Sequence, residues 1–216
     1  MTRTGAFGTE VAAIQVILRT WLQLMQSVLD RLVNVPREPV HEAEHRAYVA
    51  EAMDHHVSYF FAKSILALRD PAVALCPPRL SLMAKALLWL GGWQPTAALR
   101  LVPAGALSGE QSSSLEVVRA VTRAAVVAVE KEMRRVQNDG LVRLMMARRA
   151  AVSAAAVAAA EKAAIGRMVA RQWTVAVVAD SLRMEVLRRV VAVLSPLQAV
   201  DFLADVVRME ISMHQM

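Results

Sequence analysis

The sequence is poor in several features that would narrow its function. Its single cysteine, Cys76, excludes a disulfide within the chain and is typical of a reducing compartment. The longest run without Asp, Glu, Lys or Arg is Ala86–Leu99, which is shorter than the roughly 18–20 apolar residues that a membrane-spanning helix needs. No signal peptide is expected, because Met1-Thr-Arg-Thr-Gly5 leads into an amphipathic segment. The expected locations are the nucleus and the cytoplasm, without membrane attachment.

No sequence motif of a catalytic site is present. The chain lacks the glycine-rich phosphate loops, the GxSxG elbow and the HExxH helix that mark large enzyme classes. Its acidic residues do not group around a loop-borne nucleophile. Cys76 precedes Pro77-Pro78 without an activating base nearby, so a structural thiol is favoured over a nucleophile. The sequence therefore predicts a protein that is not an enzyme.

The positive charge is spread along the chain and forms no dense patch. The net charge is +6, and the basic residues, mostly arginines, alternate with apolar residues. Pairs such as Arg148-Arg149 and Arg188-Arg189 stand alone. No basic region precedes the first helix, as a bZIP protein would require. Solvated helix faces are the favoured interpretation, and direct DNA binding is not expected.

Apolar residues recur at helical spacing through most of the sequence. The chain is 56% hydrophobic, which is enough for a sizeable core. Strand patterns are almost absent. The clearest helical stripe consists of Val11, Ile14, Leu18, Trp21, Met25, Val28 and Leu32. The predicted fold is all-α, a single bundle-like domain of about seven or eight helices.

Capping boxes and helix breakers set the expected helix boundaries. Ser108-Gly-Glu-Gln111 and Ser195-Pro-Leu-Gln198 each predict a helix start, because a serine and a glutamine three residues later can cap one another. Asn138-Asp-Gly140 predicts a helix end. The helices expected between the breaks are at about 41–69, 80–90, 95–102, 108–138, 141–171 and 173–194, with a last one from Ser195 onward. The alanine-rich run 150–160 is expected to be helical but to bury little.

One segment interrupts the helical pattern. Two of the four tryptophans, Trp89 and Trp93, flank Gly91-Gly92, and Pro95 follows. A glycine pair can end a helix in the left-handed conformation, and proline suits the first turn of the next helix. The sequence predicts a tight corner that orients two helices, with a tryptophan packed on either side. It holds no nucleophile, acid–base pair or metal ligand.

Four histidines are the candidates for a metal site: His41, His45, His55 and His56. His41 and His45 are four residues apart, which can place two imidazoles on one helix face. Zinc would need a further ligand, which Glu44 or His55 could supply. The favoured alternative is a solvated, charged helix start. A histidine could also ligate haem, but no haem motif accompanies it, and no metal or cofactor is predicted.

Several segments together resemble one plant family. Leu88-Trp-Leu-Gly-Gly-Trp-Gln-Pro-Thr96 resembles the signature of the Delay of Germination domain, which occurs in seed-dormancy regulators and in the C-terminal half of TGA-type bZIP factors. Residues 179–187 and 194–203 resemble two further segments of that family. Trp21, Tyr59 with Lys63, and Leu107-Ser-x-x-Gln111 agree as well. The signature residues to be placed in the fold are Trp89, Gly91, Gly92, Trp93, Pro95, Pro196 and Gln198. The resemblance spans 10–213, which leaves 1–9 as a short tail.

The resemblance implies a non-enzymatic regulator of seed dormancy and abscisic-acid signalling that acts through protein contacts. In dormancy regulators, a segment that leads into an early tryptophan is linked to type-2C protein phosphatases. The matching residues here, which become the candidate partner-binding site, are Val16, Ile17, Leu18, Arg19, Thr20 and Trp21. This stretch has neither the acidic residue nor the tyrosine of those relatives.

Other functions stay open at this point. A TGA-like factor without its bZIP region would be a transcription co-regulator that dimerises with itself or with a DNA-bound bZIP relative. A helical bundle can also form an apolar pocket for a lipid or haem, although residues 176–189 contain no histidine to match a haem-binding pair in relatives. Met145-Met-Ala-Arg-Arg149 suits calmodulin as a basic amphipathic helix, but a methionine-lined core helix with arginines outside is favoured.

Overall fold

The part of the chain that the structure describes is mostly α-helical. A computed structural model describes residues 3–67, 75, 81–103, 105, 107–150 and 153–215, without the side chains of 3–15, 17, 18, 66 and 67. Within these residues there are seven α-helices and no strand, which confirms the predicted all-α class. They are α1 (Arg3–Val33), α2 (Glu42–Ala67), α3 (Leu82–Leu87), α4 (Pro95–Ala98), α5 (Gly109–Ala150), α6 (Ala154–Val193) and α7 (Pro196–Gln215), with a 3₁₀ turn at Pro39–His41. The predicted start of the domain at residue 10 stays a prediction, since α1 begins at Arg3.

The C-terminal helix α7 is the centre of the core. Apolar side chains on several of its faces are buried, namely Ala199, Val200, Phe202, Leu203, Val206, Val207 and Ile211. Helices α1 and α2 pack against it. The apolar stripe predicted for α1 is confirmed where its side chains are described, since Trp21, Met25, Val28 and Leu32 are all buried. Val11, Ile14 and Leu18 lie outside the described side chains. Each fully buried residue of this size contributes about 1.5–3 kcal/mol of transfer free energy.

Both predicted capping boxes are confirmed. At the start of α5, the Ser108 N–H donates to Gln111 Oε1 (3.0 Å) and the Gln111 N–H donates to Ser108 Oγ (3.1 Å). At the start of α7, Ser195 and Gln198 exchange the same two bonds, and Pro196 is the first helical residue. Gln111 Nε2 also donates to Gln198 Oε1 (2.8 Å), so the two helix starts are joined.

The helix end predicted at Asn138-Asp-Gly140 is wrong, because α5 continues to Ala150. Gly140 is buried where α6 crosses α5, and a methyl group there would lie 2.5 Å from the Met168 side chain. Asp139 lies 3.3 Å from Arg135 and 3.6 Å from Arg171 of α6. Packing between the two helices therefore overrides the local turn preference. The break predicted near residue 172 is also wrong, since α6 runs unbroken from Ala154.

The ends of α5 and α6 extend beyond the core. In this distal arm, defined as residues 141–150 and 153–163, no described side chain is buried. Arg148 of α5 pairs with Glu161 of α6 across it, and Ser153 caps α6 by accepting from the Ala156 N–H. Residues 154–160 of the alanine-rich run are helical. Among the helices that the structure describes, none combines the length and the apolar character that crossing a membrane requires.

Candidate functional site

The signature segment forms a tight hairpin-like turn between α3 and α4. The Trp89 N–H donates to the Gly92 carbonyl (2.7 Å) and the Gly92 N–H donates to the Trp89 carbonyl (3.2 Å). Leu90 and Gly91 both have positive φ, 50° and 78°, as the two central residues of a type I′ turn do. The prediction that a helix runs to residue 90 is therefore wrong, because α3 ends at Leu87. The prediction that Pro95 opens the next helix is confirmed, although α4 ends at Ala98, well before residue 102.

A buried arginine of α6 holds this corner, defined as Trp89–Pro95. Arg183 Nε donates to the Trp93 carbonyl (2.7 Å), and its guanidinium also donates to the Trp89 carbonyl and the Asp180 carboxylate. The guanidinium lies 5.2 Å from the Trp89 ring centre and 6.0 Å from that of Trp93, within the range of cation–π attraction. Arg183 is fully buried, and burial lowers its pKa although Asp180 opposes that shift.

Gly92 is required by the close approach of this arginine. A methyl group on Gly92 would lie 2.9 Å from Arg183 Cζ and 3.0 Å from Nε. Because hydrogen bonds and ring contacts fix the guanidinium in place, it has no room to move away. Gly92, the second glycine of the signature, therefore makes space for a side chain that lies 91 residues later in the chain. The first glycine, Gly91, adopts the left-handed backbone conformation of the turn.

A lysine of α2 ties the same corner to a third element. Lys63 Nζ donates to the Gly91 carbonyl (2.8 Å) and to Asp180 Oδ1 (3.0 Å). Burial and the nearby Arg183 lower the pKa of Lys63 to about 8, against the opposing effect of Asp180. Asp180 Oδ2 has no hydrogen-bond partner within the described part of the chain. One carboxylate thus balances two buried cations.

A second buried ion pair lies on the other side of the corner. Glu210 of α7 accepts from Trp93 Nε1 (2.6 Å) through Oε1 and from His56 Nε2 (3.0 Å) through Oε2. The other ring nitrogen of His56 donates to the Ala52 carbonyl (2.7 Å). Both neighbours of this imidazole are acceptors, so it carries two protons and a positive charge. Burial opposes that charge, but the attraction and hydrogen bond of Glu210 raise the pKa of His56 above its usual value.

Aromatic side chains close the corner toward α1. The rings of Trp21 and Tyr59 stack at 4.2 Å, and His214 meets the edge of Trp21 at 5.3 Å. Burial lowers the pKa of His214. These residues line a cavity of about 30 Å³ together with Trp93 and Glu210. Such a volume holds about one or two waters and is far smaller than haem or a lipid chain.

The histidines proposed as metal ligands have separate roles. His45 is buried and donates to the Pro36 carbonyl (2.6 Å), and His56 is bound to Glu210. The expectation of a wet helix start is therefore wrong for these two. His41 and His55 are partly exposed, with Glu44 and Glu51 as their neighbours. Among the described residues, no three side chains of the types His, Cys, Asp or Glu are grouped so that they could hold a metal ion.

The candidate partner-binding segment divides into an outer and an inner part. Val16 is 60% exposed, and Arg19 and Thr20 are exposed as well, whereas Trp21 is buried. Residues 16, 19 and 20 share one face of α1, since side chains three and four apart are neighbours on a helix. The side chains of Ile17 and Leu18 lie outside the described part of the structure.

Most members of the buried cluster lie in segments that the sequence singles out, but the sequence alone does not predict that they meet. The family resemblance alone points to Tyr59 and Lys63 of α2. It also points to the segment of α6 that contains Asp180 and Arg183. Glu210 and its partner His56 were missed as a pair. One signal was present: Glu210 is a charged residue between Val207 and Ile211 on the apolar face of α7.

Comparison with known proteins finds similarity to a seed-dormancy family. The family model DOG1, described as seed dormancy control, matches residues 28–104, which include Lys63 and the whole corner. This match supports a resemblance of the chain to the Delay of Germination family. The chain is similar to Protein DOG1-like 4 of Arabidopsis thaliana, with 28% identity over 182 residues that cover 81% of this chain and 78% of the relative. Together these similarities support a regulator related to seed dormancy.

In this chain the signature residues are structural. Trp89, Trp93 and the glycines between them bind Arg183, Lys63 and Glu210 inside the protein. Pro196 and Gln198 cap α7 at a separate place. The polar groups that form these bonds are therefore directed into the protein.

Proposed function

We propose that this protein is a non-enzymatic plant regulator of seed dormancy and abscisic-acid signalling that acts by binding a type-2C protein phosphatase and restraining it. The observation that carries the proposal is the similarity to a regulatory family. The signature residues contact other residues inside the protein, so we assign partner binding to another surface. The sites of action are the nucleus and the cytoplasm.

The exposed face of α1 is the proposed contact. Val16 supplies an apolar anchor, Arg19 a cation without an ion-pair partner among the described residues, and Thr20 a hydroxyl group. Trp21 lies on the buried side of α1. Its ring packs on Tyr59 and His214 and fixes this part of α1 on the core. Arginine with an apolar neighbour is a common anchor at protein interfaces.

The proposal is tested with purified type-2C phosphatases in a binding and inhibition assay. Val16→Ser with Arg19→Glu should weaken inhibition by about tenfold or more, because both side chains belong to the proposed contact. Both are exposed, so the fold should stay intact. The matched control is Val40→Ser with Arg100→Glu, an exposed pair elsewhere, which should inhibit like the wild type. Trp21→Ala is unsuitable, since it removes core packing. Equal inhibition by both double variants would refute the assignment of this face, and absence of any phosphatase binding would refute the function.

A further inference from the structure

The side of α5 that faces away from α6 is apolar and uncovered. Its large apolar side chains are between 46% and 65% exposed, and they are Val117, Val121, Val127, Leu141, Val142, Met145 and Met146. The expectation that methionines 145 and 146 line the core is therefore wrong, although Met133 of the same helix is buried. At about 100° per residue these seven side chains lie opposite the buried residues of the helix. We call this surface the outer face of α5.

The outer face is long, and its exposed apolar side chains form two groups, at 117–128 and 141–146, with polar residues between them. From Val117 to Met146 it spans about 44 Å at 1.5 Å per residue. Alanines 120, 124 and 128 separate the valines in its first half, so the surface there is smooth. Positions 117, 121, 124, 128, 131, 135, 138, 142, 145 and 149 follow alternating steps of four and three, which is the seam along which two helices pack. Groups of exposed apolar side chains that are rimmed by polar residues are typical of protein interaction sites.

Cations lie within this stripe and not at its edges. Lys131 and Arg149 fall on its midline and Arg134 lies beside them; all three are exposed. None has a carboxylate within ion-pair distance among the described residues.

The carboxylates of α5 near the stripe are already engaged. Glu116 binds Arg119 (2.7 Å), Glu132 binds Arg135 (2.6 Å), and Glu130 accepts from Trp89 Nε1 (3.0 Å). Asp139 lies between Arg135 and Arg171. The outer face therefore offers positive charge that has no internal counterpart.

The positions of the cations on the outer face indicate what kind of partner binds there. A second copy packed symmetrically about the middle of this face would place Lys131 and Arg134 against their own counterparts, which opposes such a dimer. An anionic membrane favours cations along the border of an apolar face, whereas here Lys131 and Arg149 on the midline would have to enter the apolar layer. A partner helix with apolar residues along its seam and carboxylates among them would match both the exposed apolar side chains and the cations between them.

We propose that the outer face of α5 docks an acidic amphipathic helix of a protein partner. Apolar residues of that helix pack on the two groups at 117–127 and 141–146, and its carboxylates meet Lys131, Arg134 and Arg149. The partner lies along one side of α5 because α6 covers the other. The inference rests on the proposed function only in that the protein acts by contact with another protein, and it concerns a surface separate from the exposed face of α1.

The test is selection from a display library of helical peptides against the full chain. Enriched peptides should be amphipathic and acidic, and Lys131→Glu with Arg134→Glu should weaken their binding by about tenfold or more. The same reversal should enrich basic peptides in a repeated selection. Leu141→Ser with Met145→Ser should weaken both. The matched control is Arg188→Glu, an exposed arginine of α6, which should leave peptide binding unchanged.

Several outcomes would overturn the proposal. The proposal is wrong if the wild type enriches neutral or basic peptides. It is also wrong if charge reversal at Lys131 and Arg134 leaves peptide binding intact. A concentration-dependent dimer in analytical ultracentrifugation that Leu141→Ser with Met145→Ser dissociates would assign the face to a second copy. Binding to vesicles of phosphatidylcholine and phosphatidylserine that these variants abolish would assign it to a membrane. Failure of phosphatase inhibition alone would refute the proposed function and leave this inference standing.

Discussion

Replacement of Gly92 by alanine tests whether the corner is organised around a fixed arginine. The new methyl group would lie 2.9 Å from Arg183 Cζ, 3.0 Å from Nε and 3.1 Å from the nearer terminal nitrogen. The φ angle of Gly92 is not in the left-handed region, so the backbone itself accepts alanine. Any loss of stability therefore reports on the contact with Arg183 and not on backbone strain.

The magnitude follows from the bonds that the guanidinium would lose. Overpacking of a core costs about 1–3 kcal/mol when neighbours can shift. Here a shift would break the bonds from Arg183 to the carbonyls of Trp89 and Trp93, and hydrogen bonds of charged groups contribute about 1.5–3 kcal/mol each. We expect Gly92→Ala to lower the free energy of unfolding by about 3 kcal/mol or more. For a chain of this length, the melting temperature should fall by roughly 6–12 °C.

The assay is denaturant unfolding followed by far-ultraviolet circular dichroism, with Gly140→Ala as the matched control. A methyl group on Gly140 would come even closer to its neighbour, 2.5 Å from Met168 Cγ and Sδ, but methionine is flexible and can turn aside. Alanine also gains about 1 kcal/mol of helix propensity over glycine in α5. We expect Gly140→Ala to cost less than about 1 kcal/mol.

A double-mutant cycle makes the reasoning refutable. Arg183→Lys removes the planar guanidinium, so Gly92→Ala should cost at least about 1 kcal/mol less in that background than in the wild type. Additive losses in the cycle would show that Gly92 and Arg183 do not interact as described. A loss below about 1 kcal/mol for Gly92→Ala alone would show that the arginine is not fixed.

Three further predictions concern the buried pair, the helix caps and the distal arm. The raised pKa of His56 stabilises the fold below about pH 6.5, and this stabilisation is lost as pH rises through the folded-state pKa; Glu210→Gln should lower that pKa in an NMR titration, whereas the surface change Glu185→Gln should not. Ser195→Ala should lower the free energy of global unfolding by about 1 kcal/mol, while Ser153→Ala should change it little, because the cap it removes belongs to the distal arm. Amide hydrogens of the distal arm should exchange faster than those of α7, which buries more side chains; equal protection would contradict this assignment.

Features that depend on neighbouring residues could be predicted from the sequence. Both capping boxes and the stripe of Trp21, Met25 and Leu32 follow from short spacings, and the structure contains them. A cap is satisfied within one turn of helix, and a helical stripe needs only one apolar partner surface. Such patterns hold whatever the rest of the chain does.

Features decided by distant packing could not be predicted in this way. Asn138-Asp-Gly140 has the local preference of a turn, but Met168 packs on the glycine and Arg171 lies near the aspartate. These contacts are favourable only when α5 remains straight beside α6. Local propensity amounts to about 1 kcal/mol per residue, which a helix pair of this length outweighs.

The buried charges show the same limit for the candidate site. Lys63 and Asp180 are 117 residues apart, and His56 and Glu210 are separated by 154. Nothing in either sequence neighbourhood specifies its partner. The resemblance to the Delay of Germination family placed Lys63, Asp180 and Arg183 in one set of family segments, but only the fold assigns them to one corner.

The corner and the exposed faces are related through the helices that they share. Lys63 ties the corner to α2, Arg183 to α6 and Glu210 to α7. Helix α1 packs on α7, and α5 packs along α6, so the corner fixes the relative position of the two faces proposed for partner contact. A change such as Gly92→Ala should therefore weaken both contacts together, whereas a surface variant should weaken one. This difference separates a structural role of the signature from a direct role in binding.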